Sequence, residues 1–99
     1  MPYSLKIAQE AEDDILEAYV WYEKQNPGLG EEFLENLSQV YQAILRNPET
    51  YRFRFKKVRA YVVDRFPYLI LYILEVNDVK VIAVFNTSRN PKVLKKRIK

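Results

Sequence analysis

The sequence predicts an α+β chain in which a strand and a helix hairpin precede an antiparallel sheet. Three observations carry this. Tyr68 to Leu74 is apolar without a break and rich in β-branched and aromatic types. A half-exposed strand would alternate, so the run predicts a strand covered on both faces. Two stretches with helical spacing flank Asn26-Pro27-Gly28, and short alternating segments lie before and after them.

In chain order, Tyr3-Ser4-Leu5-Lys6-Ile7 alternates as a short half-buried strand should. A helix is expected from Ala8 to about Gln25, with Ile15, Ala18, Tyr19 and Tyr22 on one face. Glu10, Glu12, Asp13 and Asp14 crowd its start, where negative charge complements the helix dipole. Pro27 and Gly28 stop it. A second helix is expected over Leu29 to Arg46, with Phe33, Leu37, Val40, Tyr41 and Ile44 repeating at threes and fours, until Asn47-Pro48. So short a turn predicts an antiparallel hairpin whose apolar stripes cover one sheet face. The hairpin's acidic residues read as solvated surface.

Tyr51-Arg52-Phe53-Arg54-Phe55-Lys56 alternates aromatic and basic, which as a strand separates aromatics from cations. Val58 to Phe66 follows, with Val58, Ala60 and Val62 on one face and Arg59, Tyr61, Val63 and Arg65 on the other. The central strand is placed at Tyr68–Val76, with Asn77-Asp78 as a two-residue turn into Val79–Phe85. Val93, Leu94, Arg97 and Ile98 allow a last short helix, against a frayed basic tail.

Ninety-nine residues suit one domain, taken as 1–99. With no cysteine and no histidine, disulfides and thiolate or imidazole metal sites are excluded, and no metal or cofactor is expected. No run is long enough to span a bilayer and no signal peptide is visible, so a cytoplasmic protein without membrane contact is the expectation. The net charge of +3 is unevenly spread. Residues 1–50 hold three basic and ten acidic side chains, and residues 51–99 hold thirteen basic and three acidic. The second half is therefore expected to meet an acidic or polyanionic partner. Arginines interleaved with Tyr61 on a sheet face suit a nucleic-acid backbone and a stacked base, though a sheet face kept soluble by arginine explains any one of them as well.

Asp14-Ile15, Trp21-Tyr22-Glu23, Pro27-Gly28-Leu29-Gly30 with Phe33-Leu34, and Asn47-Pro48 resemble the RelE/ParE toxin superfamily. So do Val58-Arg59, Arg65-Phe66-Pro67-Tyr68 with Tyr72, and Ser88-Arg89-Asn90-Pro91. The resemblance spans about Leu5 to Arg97 and is closest to the ParE-like, plasmid-stabilisation branch. It implies a helix hairpin on a small, twisted, mainly antiparallel sheet. It also implies the toxin of a two-gene toxin–antitoxin system, held in a hetero-oligomer by a cognate antitoxin that wraps an extended or helical segment around it.

The resemblance leaves two activities open, since fold does not choose between them. A RelE-like toxin cleaves messenger RNA on the ribosome, without metal, through an acid, a base and cations around the phosphate. Lys56 or Lys57, Arg59 and Arg89 would answer to its basic members. The tyrosine often found in the C-terminal segment has no counterpart after Tyr72. A ParE-like toxin poisons DNA gyrase, which asks for a contact surface rather than proton transfer. Many ParE-like sequences carry histidine where Asn86 stands here, a change that matters less to a binder than to a catalyst. The weighing favours the non-catalytic toxin, with Arg52, Arg54, Arg59, Tyr61, Arg65, Arg89, Lys95, Lys96 and Arg97 as the surface meeting target or antitoxin. An inactive homologue that only binds antitoxin is the third alternative.

Overall fold

The computed structural model describes residues 3–89 and Lys92. Strand β1 (Ser4–Ile7) leads into helix α1 (Gln9–Gln25) and helix α2 (Leu29–Arg46). Strands β2 (Phe53–Phe55), β3 (Val58–Val62), β4 (Tyr68–Leu74) and β5 (Asp78–Asn86) follow. The sheet order is β1-β5-β4-β3-β2. All its pairings are antiparallel except β1 with β5, which run parallel.

The helix hairpin forms where the sequence places it, and its turn is held by a side chain. Asn26 closes α1 through an N–H bond to the Tyr22 carbonyl, and Gly28 takes a left-handed φ of 93°. The first N–H groups of a helix lack intrahelical acceptors. Here the Glu23 carboxylate accepts from Gly28 N–H at 3.0 Å and Gly30 N–H at 2.8 Å. Glu23 is thus a cap for α2, not the solvated residue expected from its charge. Asp14 departs likewise: it is half-buried, and its Oδ2 accepts the Val84 N–H of β5 at 2.9 Å. Both carboxylates satisfy backbone donors.

The helices bury Ala11, Ala18, Tyr22, Phe33, Leu37, Val40 and Ile44 against Tyr68, Ile70 and Tyr72 of β4 and Val79, Val81 and Val84 of β5. The other sheet face gathers Val58, Leu69, Leu71, Ala83 and Phe85 into a second cluster. Strand β4 therefore has buried side chains on both faces, as its unbroken apolar run requires.

Strand boundaries shift in three places. β4 ends at Leu74, because Glu75 and Asp78 exchange backbone bonds of 2.9 and 3.3 Å across Val76-Asn77. The turn is thus one residue earlier than Asn77-Asp78, and no residue in it has a positive φ. β3 stops at Val62 rather than Phe66. Val63 N–H still bonds to the Tyr68 carbonyl, and the intervening turn drops Phe66 into the core, 5.0 Å from the Tyr22 ring and 5.3 Å from that of Phe33. Finally, only Phe53–Phe55 of the alternating 51–56 run is strand, with a register shift inside it. Tyr51 packs on the helix-side core and Phe55 on the far cluster, so the aromatics do not share a face. The expected C-terminal helix, with Lys95, Lys96 and Arg97, lies outside the described residues.

Candidate interaction surface

Among the described residues, the basic side chains singled out in the second half lie in separate places. Arg59 is a strut. From β3 its guanidinium donates to the carbonyls of Glu49 at 3.0 Å and Tyr51 at 2.8 Å, and it lies 4.0 Å from the Phe53 ring centroid. It thereby ties the chain leaving α2 to the sheet. Tyr61, its neighbour on β3, meets the Tyr51 ring edge-on at 5.0 Å. The Tyr72 hydroxyl donates to the Pro48 carbonyl at 2.7 Å, which closes the same corner from beneath. Burial pushes that phenol up to about 12, partly opposed by the Arg59 charge, so it stays protonated and donating.

Arg65 is also engaged. It pairs with Glu32 on α2 and lies 5.5 Å from the Phe66 ring, which links the β3–β4 turn to the hairpin. Both partners are exposed, so the pair adds little to stability. The remaining cations stand outward. Arg52, Arg54, Lys56 and Lys57 are all exposed along the β2–β3 hairpin. Lys56 sits in its two-residue turn with a φ of 50°, a conformation uncommon for a residue with a side chain. The outer groove beside this hairpin has a volume of about 530 Å³ and is lined by Arg52, Phe53, Arg54, Ala60, Tyr61, Val62 and Leu69, with Thr50 and Tyr51.

Arg89 belongs elsewhere. It is exposed, and its backbone N–H bonds to the Asn86 carbonyl at 3.0 Å. Its side chain borders a groove of about 410 Å³ between α1 and the end of β5, with Asp14, Glu17, Trp21, Tyr22, Pro67, Tyr68, Asn86 and Ser88. Asn86 shapes the turn there: its Oδ1 accepts from Ser88 N–H at 2.9 Å and from Ser88 Oγ–H at 2.7 Å. The Tyr22 phenol is pushed up to about 12 by burial and by the adjacent Tyr68 hydroxyl, and burial also raises Tyr68. Neither phenol is a base near neutrality.

Sequence reasoning missed Trp21, Glu17 and Ser88 as parts of this groove. Trp21 is 56% exposed. A weak signal existed, because it lies outside the apolar face drawn by Ile15, Ala18 and Tyr22. Asp14 and Glu17 carried no such signal, being indistinguishable by pattern from the other acids of α1. Among the described residues, no group of acids is placed to hold a metal ion, and no helix is long and apolar enough to cross a membrane.

Comparison with known proteins supplies the family. A family model described as the ParE toxin of the type II toxin-antitoxin system, parDE, matches residues 5–91. The chain belongs to the ParE toxin family. Its fold agrees: a chain of the chromosomal ParDE TA system from P. aeruginosa superposes with a TM-score of 0.76 at 14% identity, covering 85% of this chain and 95% of that one. The comparison with curated proteins finds no match. Among the described residues, two grooves and the hairpin from Arg52 to Lys57 are exposed, whereas Arg59 bonds to the Glu49–Tyr51 backbone and Tyr61 packs on Tyr51.

Proposed function

We propose that this ParE-family chain is, as a single domain over residues 1–99, the toxin of a type II pair in the cytoplasm. A cognate antitoxin neutralises it in a hetero-oligomer, and when free it poisons DNA gyrase by binding, without bond chemistry of its own. Family membership supports the toxin. The distribution of the basic residues supports binding over catalysis. Metal-free RNA cleavage needs its cations and proton donors around one phosphate. Here Arg59 is committed to two backbone carbonyls. Lys57 borders a cleft with Glu10 and Lys80 beside the far sheet face, while Arg89 borders the α1–β5 groove.

Purified protein incubated with gyrase and supercoiled plasmid, beside ribosomes programmed with messenger RNA, tests this directly. Accumulation of cleaved, gyrase-linked DNA with intact message is expected. Cut message with unaffected gyrase would replace the proposal by a RelE-like ribonuclease. Folded protein silent in both assays would leave an antitoxin-binding homologue without toxicity.

A further inference from the structure

We infer that the groove between α1 and the end of β5 takes an arginine side chain presented by a protein partner, stacked on Trp21 and paired with Glu17. The inference goes beyond the toxin proposal, and its groove shares no lining residue with the one beside the β2–β3 hairpin. Its first basis is an alignment on one helix. Asp14, Glu17 and Trp21 stand three and four residues apart on α1, so they share a face, and all three line the groove. Trp21 is 56% exposed, and its ring is braced by that of Tyr22, 5.1 Å away and nearly perpendicular at 85°. Among the described residues no cation lies over it, since Lys56, Arg59 and Arg65 all sit on phenylalanines. Indole is the best aromatic face for a cation, and a planar guanidinium stacks on it.

The second basis is the charge of the groove. Glu17 is exposed and has no ion pair among the described residues. Its charge nevertheless reaches inward. Burial foremost raises the Tyr68 phenol, and the carboxylates of Glu17 and Asp14 raise it further, so both face the groove floor that Tyr68 helps to form. Arg89 is the single basic residue among the described lining, against those two carboxylates. Ala18, Pro67 and Val84 add an apolar wall on which the stem of an arginine can lie while its head meets the carboxylate. The open indole, the carboxylate one turn before it and the apolar wall surround a volume of about 410 Å³. A phosphate or an acidic segment is repelled here, so the occupant differs from the polyanionic partner expected for the cations of the second half.

Trp21 is the only tryptophan, so the fluorescence of the full chain reports on this groove alone. The experiment titrates it with a short peptide holding arginine between two leucines. A saturable change is expected, and the citrulline counterpart, which keeps the shape and drops the charge, is expected to bind about fivefold more weakly. Glu17→Gln is expected to weaken the arginine peptide by a similar factor. Trp21→Leu, followed through the Ser88 amide in NMR spectra, is expected to weaken it about threefold to tenfold. Both positions are exposed, and both variants are expected to keep the circular dichroism of the parent. Equal affinity for the arginine and citrulline peptides overturns the inference, as does fluorescence that stays flat up to millimolar peptide. Preference for a glutamate counterpart overturns it too, and makes Arg89 the anchor of an acidic ligand. Fluorescence that shifts on dilution of the free protein while the peptide is inert replaces it with an interface between two copies of this chain.

Discussion

The Asp14 carboxylate on α1 accepts the Val84 N–H of β5 at 2.9 Å, across 70 positions of sequence. β1 pairs with β5 only as far as Val81, after which Ala8 N–H bonds to the Val81 carbonyl and the chain turns into α1. Among the described residues, the outer edge of β5 beyond that point has no neighbouring strand. A helix side chain takes the place of one. The same residue borders the groove that Arg89 closes, so the wall of a candidate binding surface is also part of the sheet's own bonding.

Asp14→Ala is therefore expected to destabilise the fold by about 1–3 kcal/mol, the cost of leaving a part-buried donor unpaired. Asp14→Asn, which keeps an acceptor oxygen, is expected to recover most of it. Urea denaturation of the three proteins measures both. Equal midpoints for Asp14→Ala and the parent would mean that water replaces the carboxylate without cost.

At the helix turn, Gly30 leaves no room for a side chain. A Cβ there would stand 2.7 Å from Glu23 Cγ and 2.8 Å from Tyr19 Cδ1. Gly30→Ala is expected to cost about 1–3 kcal/mol by overpacking, despite the better helix propensity of alanine. It also displaces the Glu23 cap. Combined with Glu23→Ala, which removes one of the two clashing groups and the cap together, the loss is expected to fall short of the sum of the single losses. A double-mutant cycle in thermal unfolding tests this. Strict additivity would show that the glycine and the cap act independently.

The two arginines that the sequence treats alike are expected to separate on substitution. Arg59→Ala removes two hydrogen bonds to carbonyls and the stack on Phe53, for a loss of about 2–3 kcal/mol. Arg59→Lys restores little, since an ammonium cannot present the planar fork. Arg89→Ala, at an exposed residue whose backbone N–H bonds to Asn86, is expected to leave stability within about 0.5 kcal/mol and to reduce growth inhibition. Melting temperature and cell growth, measured on the same pair of variants, read the two effects apart. Loss of melting temperature in Arg89→Ala would give it a structural role instead.

How legible all this was in the sequence depends on the range of the interactions. The helices and β4 follow from local patterns: residues three and four apart share a helix face, and only a doubly covered strand stays apolar at every position. β2 was misjudged because strict alternation looks like a regular strand, and a register shift between Phe53 and Phe55 is invisible to pattern. Arg59 could not be told from Arg89 by composition. What distinguishes them is the Glu49–Tyr51 backbone passing beneath one and not the other, a tertiary fact. Glu23 and Asp14 were hidden for the same reason, since nothing local to an acidic helix marks which carboxylate meets a backbone donor.

Alkaline unfolding offers a further check. Tyr22, Tyr41 and Tyr72 each have the phenol pushed up from 10.0 to about 12 by burial foremost. The folded chain thus holds these protons more tightly than the unfolded chain. Their contribution is complete below pH 10 and is lost as pH rises to about 12. Stability to urea is expected to fall steeply over that window, and less steeply in Tyr41→Phe, since the Tyr41 hydroxyl has no hydrogen-bond partner among the described residues. An identical slope in that variant would place the alkaline transition in other groups.

The parallel pairing of Ser4 with Asp78 and Ile7 with Val81 has a consequence for biosynthesis. β1 waits for β5 before it finds its place, and the doubly buried β4 needs β5 beside it. During translation the helix hairpin emerges long before the sheet that covers its apolar stripe exists. Contacts this remote in sequence also slow folding. A nascent copy thus spends its early life with that stripe uncovered, and it gains its finished shape only once β5 has been made.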